Sequence, residues 1–155
     1  MSGHELLKGV GYWRANDDWD TWNATKHLPD PRWLVQRNWR RPERKQIVEY
    51  LRTGHTYAAG YSYCRFWLCG TRPPWMGTRD FTDGEWVWPE GLAHYVERHS
   101  VRLPDEFLET MRSNSWRSPP SCGRDGVGPR EYLYDLAFWV SWGRQYQKRP
   151  WYCFW

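Results

Sequence analysis

Aliphatic residues are scarce in this chain, and long apolar runs are missing. Mean hydropathy is −0.93 although 40% of the 155 residues are hydrophobic. No stretch approaches the ~18 apolar residues of a membrane-spanning helix. The greasiest run, residues 132–142, is interrupted by Asp135. The opening residues, MSGHELLKGVGYW, contain no charged segment followed by an apolar one, so the expected compartment is the cytoplasm and no membrane association is expected. There are no internal repeats and no coiled-coil heptads. Neither a Gly-rich phosphate loop nor a Ser-centred nucleophile elbow is present, so neither chemistry is read from the sequence.

What is abundant is aromatic. Phe, Trp and Tyr make up 19% of the chain, and fourteen residues are Trp. Low hydropathy with 26% charged residues resembles a disordered composition, but disordered chains lack aromatics. A folded chain with an aromatic core is therefore expected. Trp and Tyr carry polar handles, so that core must also supply hydrogen-bond partners. The length suits one domain, with or without an ordered extension.

Net charge is only +4, and it concentrates in residues 30–55. The densest basic run is Arg37, Arg40, Arg41, Arg44 and Lys45. Such a stripe can meet phosphate or an acidic partner. With Glu43 and Glu49 interleaved it reads equally as a solvated helix face.

Residues 1–31 read as an irregular aromatic arm, with Leu28-Pro29-Asp30-Pro31 as a turn. A helix is predicted over 42–53, opened by Pro42 and stopped by Gly54, with Ile47, Val48 and Leu51 on its apolar face. Residues 57–69 look extended. Residues 79–88 read as a β-hairpin about a type I′ turn at Asp83-Gly84. Helices are predicted over 89–99 and from Pro104 to about Arg112. Residues 113–128 form a flexible loop rich in Ser, Pro and Gly. Pro129 opens a last helix to about 147, with Leu133, Leu136, Ala137 and Val140 on one face, and an aromatic tail ends the chain. The expected domains are the arm at 1–31, a zinc-binding core at 32–112, the loop at 113–128, and a helix plus tail at 129–155 packed on the core.

The sharpest signal is Cys64-x4-Cys69, then 24 residues, then His94-x4-His99. Two sulfurs on a knuckle and two imidazoles on a helix form a ligand set that tetrahedral zinc takes. Helical positions i and i+5 diverge by ~140°, so the histidines converge only where the helix end is distorted. The hairpin between the pairs returns the chain so that the helix packs beside the knuckle. The whole reads as a small α+β, ββα-type zinc module packed with three further helices. The competing explanations are ordinary surface histidines, and cysteines that are core thiols or a local disulfide. His55 is a possible extra ligand. Cys122 and Cys153 are possible reactive thiols without a supporting motif.

Tyr61-Ser62-Tyr63-Cys64-Arg65, Cys69-Gly70, Arg79-Asp80-Phe81-Thr82-Asp83-Gly84 and the block from Trp86 to His99 resemble a family of small uncharacterised bacterial proteins. That family has a CxxCG-like knuckle followed by a TDG-x-x-x-WPEGLAHYV-x-x-H block and an LP-x-EF segment, matched here by Leu103-Pro104-Asp105-Glu106-Phe107. The resemblance covers roughly residues 29–108 and implies a zinc-binding module. It implies no reaction. This chain departs from the pattern by its longer cysteine spacing and its Trp-rich ends.

Three functions are read from these features. The first is a protein-interaction or adaptor module with a structural zinc, meeting a protein partner or a second copy through its aromatic termini. The second is a nucleic-acid-binding zinc module using the basic stripe; the acidic balance around the zinc ligands disfavours it. The third is a metal-dependent enzyme with an open zinc position, using Asp80, Asp83, Glu85 or Glu90 as general base. Here Asp83 is also explained by its turn and Glu90 by a helix N-terminus. The Trp residues divide, on this reading, into a metal-pinned centre and two aromatic ends.

Overall fold

A computed structural model of the chain describes residues 6–14, 25–59, 64–66, 69, 76–119 and 134–147. In chain order the strands and helices are β1 (Leu7–Gly9), α1 (Arg44–Arg52), β2 (His55–Ala59), β3 (Arg79–Thr82), β4 (Trp86–Pro89), α2 (Leu92–His99), α3 (Asp105–Ser113), β5 (Tyr134–Asp135) and α4 (Ala137–Arg144). A single 3-10 turn, Pro31–Leu34, precedes α1. The fold is α+β; the described residues form four helices and one mixed five-stranded sheet in the order β2-β3-β4-β1-β5.

The hairpin forms where the Asp-Gly signal lies, but one residue out of register with it. Thr82 pairs with Val87 and Phe81 with Trp88, and the Asp83 amide donates to the Trp86 carbonyl. Gly84 and Glu85 are therefore the central residues. Only Gly84 has positive φ, at 93°, which is the type II′ pattern and not the expected I′. Asp83 moves out of the turn centre because its buried carboxylate has other work. It accepts from the Glu85 and Trp86 amides at 2.9 and 2.7 Å and from the Tyr50 hydroxyl at 2.6 Å.

Both chain ends differ from the sequence reading. The arm is not irregular throughout: β1 lies inside the sheet, parallel to β4 on one side and β5 on the other. Three residues, one of them glycine, are too short a strand to show a period. Gly9 is required there, since a Cβ would sit 2.5 Å from a Leu136 methyl. The last helix is also shorter than expected. Tyr134 and Asp135 are strand, and the Asp135 carboxylate accepts from the Ala137 amide at 2.8 Å, which starts the helix afresh. The buried face of α4 is Trp139, Trp142 and Gly143, while Ala137 is exposed. A large indole buries more apolar area than Leu or Val, and Gly143 lets Pro29 approach where a Cβ would collide with its ring. The predicted face of Leu133, Leu136, Ala137 and Val140 is corrected accordingly; Leu133 lies outside the described residues, as do most of the 113–128 loop, Cys122, Cys153 and the 148–155 tail.

The core is aromatic, as the composition requires, and it is one cluster. Trp13, Trp39, Trp86, Trp88, Trp139 and Trp142 all belong to it, with Tyr50, Tyr95 and Phe107. Trp13 from the arm packs edge-on to Trp139 of α4 and against Tyr95 of α2. This corrects the division into a metal-pinned centre and two aromatic ends, at least for the described residues. The polar handles are met as expected. The indole N–H groups of Trp86, Trp88 and Trp139 donate to Thr110 Oγ1, Leu51 O and Tyr12 O at 2.9, 2.8 and 2.7 Å. Trp13 is the exception, its indole nitrogen being buried without a partner among the described residues.

Helices α1 and α2 pack against each other. α1 presents Ile47, Val48, Tyr50 and Leu51 to the core, and α2 presents Leu92, Ala93, Tyr95 and Val96. On the solvent side Arg52 pairs with Glu97, tying the two together. Pro89 ends β4, and α2 begins at Leu92, three residues later than predicted. Among the described residues no helix is long and apolar enough to cross a membrane.

Candidate metal centre

The buried face of α2 fixes where its histidines point. With Leu92, Tyr95 and Val96 turned inward, His94 and His99 stay half-buried at the helix margin. Cys64 and Cys69 come to the same place. The Cys69 amide donates to the Phe66 carbonyl at 3.1 Å, a turn that folds the second thiol back toward the first. Cys69 Sγ then lies 3.2 Å from Nε2 of both His94 and His99, and Cys64 Sγ lies 3.4 Å from His99 Nε2. All four donor atoms fall within 4.8 Å of one another. A tetrahedral ion with ~2.3 Å bonds to sulfur and ~2.05 Å bonds to nitrogen needs its ligand atoms about 3.3–3.8 Å apart. The four residues predicted from the spacing therefore lie close enough to bind one metal ion. Both cysteines are free thiols, which sets aside the local disulfide.

Convergence at i, i+5 has a visible cause. The Ser100 and Val101 amides both reach back to the Tyr95 carbonyl, five and six residues earlier. An α-helix would reach back four. The last turn of α2 is thus opened, and a wider turn brings positions i and i+5 closer in azimuth. Ser100, in the left-handed region at φ 52°, then ends the helix. The two imidazole rings meet at 70° with centroids 5.1 Å apart, so they converge as two separate ligands and do not stack.

Burial sets the protonation of the ligands. It holds the His99 imidazole down to about 4, with the neighbouring His94 and Arg98 acting in the same direction. Burial also lowers His94, followed by Arg98. Both rings are therefore neutral at pH 7, the form that ligates. Burial pushes the Cys64 thiol the other way, up to about 11. A cation at the centre would reverse that cost by stabilising the thiolate.

Phe66 packs at the site, as expected of an aromatic flanking the module, and Tyr95 joins it there unforeseen. Phe66 stacks flat on His99, 8° from parallel with centroids 4.0 Å apart, and fixes that ring's plane. Tyr95 accepts from the Arg65 amide at 2.9 Å through its hydroxyl, anchoring the backbone next to Cys64. Each sits one or two residues from a ligand. Aromatics are so common in this chain that position alone did not single out Tyr95.

The other candidates lie elsewhere. His55 meets the Pro119 carbonyl through Nε2 and is not in the cluster. Glu90 precedes α2. Its carboxylate accepts from the Thr78 amide at 3.0 Å and pairs with Arg79 at 3.0 Å, so it does not serve the helix N-terminus. Glu85 accepts from the Thr110 hydroxyl, and Asp83 is occupied in the hairpin. Within the basic stripe, Arg44 donates to the Trp39 carbonyl and Arg40 pairs with Glu43 and Asp105. Arg37, Arg41 and Lys45 are exposed. No protein-family model matches the chain, and neither a curated protein nor a solved structure is similar to it.

Proposed function

We propose that this chain is a zinc-binding, cytoplasmic protein-interaction module whose metal is structural. The observation that carries the reading is the closed set of four protein donors, Cys64, Cys69, His94 and His99, within 4.8 Å. Two thiolates and two imidazoles are the borderline-soft set that favours zinc, and four protein ligands fill a tetrahedral ion. A catalytic zinc keeps one position for water. Glu97, nearest in sequence, pairs with Arg52, and Asp83, Glu85 and Glu90 are held in other hydrogen bonds. The metal would join the segment around Cys64 and Cys69 to α2 and through it to the core.

The resemblance to the WPEGLAHYV family supports the same module. Reduced cysteines suit a thiol-keeping compartment. The interaction role rests on the Trp- and Tyr-rich residues 150–155, which are hot-spot types, and a second copy of the chain is the simplest partner. Among the described residues Leu6 is the one large hydrophobic that is exposed, so the described surface offers no rival apolar patch. The test is the mass in solution of the zinc-loaded chain with and without residues 150–155. A dimer that becomes a monomer on truncation supports the reading. A monomer in both cases removes the self-association.

A further inference from the structure

The basic stripe contains a feature that the metal centre does not use. Asn38 and Arg40 both adopt the left-handed backbone region, at φ 61° and 46°. Asn tolerates that region; Arg is uncommon in it. The alternation buries Trp39 between them and leaves the flanking side chains outside. Arg40 is half-exposed and pairs with Asp105 at 3.2 Å and, more loosely, with Glu43 at 3.6 Å, but the Asp105 side chain is 84% exposed. An exposed ion pair of that kind contributes less than a left-handed arginine costs. The strain therefore calls for a further role for this guanidinium.

Arg40 lines a polar cleft of about 350 Å³ with Gln36, Asn38, Arg102, Trp142 and Tyr146. Arg102 is fixed in advance. Its Nε donates to the Leu34 carbonyl at 3.3 Å, and its guanidinium carbon lies 4.2 Å from the centre of the Tyr146 ring. Among the described residues no acceptor meets its two terminal nitrogens. Two guanidiniums and the amides of Gln36 and Asn38 thus face one small space, with Asp105 at its edge as the only acid.

We infer that this cleft binds a small phosphate monoester. A carboxylate has two oxygens and one charge, and Asp105 already supplies one. A phosphate dianion has three terminal oxygens, each able to accept more than one of the bonds from the four donor groups, and a double charge to meet Arg102 and the Arg40 nitrogen that Asp105 releases, Glu43 keeping the other. Asp105 is a built-in competitor, holding Arg40 until a stronger anion arrives. The cleft shares no residue with the zinc ligands and does not depend on the metal reading.

The test uses the full zinc-loaded chain and inorganic phosphate as the probe. Binding is followed by 15N–1H NMR of the arginine Nε–H and tryptophan indole signals, with chloride at equal ionic strength as the control. Saturable shifts are expected at Arg102, Arg40 and Trp142 and not with chloride. Arg102→Gln should weaken binding by about tenfold or more. Asp105→Asn should tighten it by about threefold, since it frees Arg40, and this exposed substitution leaves the fold undisturbed. Shifts that chloride reproduces, or affinity that Asp105→Asn leaves unchanged or weakens, would overturn the inference.

Discussion

Metal uptake by this site at neutral pH should release its protons from sulfur alone. The perturbation is titration of the metal-free chain with zinc at several pH values. Burial holds His99 at about 4 and lowers His94 below its ordinary value, so His99 has no proton to lose above pH ~5 and His94 has less of one than an ordinary imidazole. Cys64, at about 11, is fully protonated at neutral pH, and an ordinary thiol with a pKa of ~8.5 is also protonated there. Two thiolates in the bound state then mean about two protons released per zinc. The apparent association constant should rise about 100-fold per pH unit, about 2.7 kcal/mol, between pH ~7 and ~8. The contrast is sharpest at pH 6. Two histidines of ordinary pKa, ~6.5, would each be about three-quarters protonated there and would raise the release to about 3.5. Calorimetry in buffers of differing ionisation enthalpy counts the protons directly. A value between two and three at pH 6 is expected, settling at about two by pH ~7.5; a value of about 3.5 at pH 6 would refute the argument from burial, and about one would mean that a cysteine is not a ligand.

Other consequences concern the fold that carries the site. Burial raises the Asp80 carboxyl to about 6, with the Tyr12 side chain opposing. Its contribution is therefore present below the unfolded value of ~3.9 and is lost as pH rises through 6. After discounting for partial exposure this is about 1–2 kcal/mol, so Asp80→Asn should gain about that much relative to wild type between pH 4 and 7. Urea midpoints at the two pH values check the sign. Asp83→Ala strips an acceptor from the Tyr50 hydroxyl and two amides and should cost about 3 kcal/mol, against about 1–2 for Tyr50→Phe. The pair should be clearly non-additive in a double-mutant cycle, and simple additivity would contradict the buried bond. Trp139→Ala removes a fully buried indole and its bond to Tyr12; a loss of about 3–5 kcal/mol in chemical denaturation is expected. A loss below about 1 kcal/mol would mean that α4 is not part of the core.

The site was legible because metal ligation is a matter of residue type and spacing. Cys64, Cys69, His94 and His99 meet as the sequence implied, and even the opened helix end was implied by the i, i+5 interval. Where local chemistry dominates, the elements were legible too: Pro42 and Gly54 bracket α1, and Leu103-Pro104-Asp105-Glu106 opens α3. Long-range pairing was not. β1 is three residues long and acquires its strand state only from β4 and β5, which lie 77 and 125 residues further along. The break at Asp135 depends likewise on β1 drawing Tyr134 into the sheet. The hairpin turn shifted by one residue because Asp83 is bonded to Tyr50 of a separate helix. The aromatic ends joined the core for a related reason: when aliphatics are scarce, Trp13 and Trp139 are needed inside, and no local pattern records that need.

The central claim is a structural zinc held by Cys64, Cys69, His94 and His99. Its most direct test is metal content together with thermal midpoint for the purified chain, for Cys64→Ser and for His94→Ala, each before and after chelation. One zinc per chain in the wild type is expected, absent from both variants, with both variants melting at the lowered midpoint of the chelated wild type. Zinc retained in either variant would contradict the ligand assignment, and zinc lost without a change in midpoint would contradict a structural role.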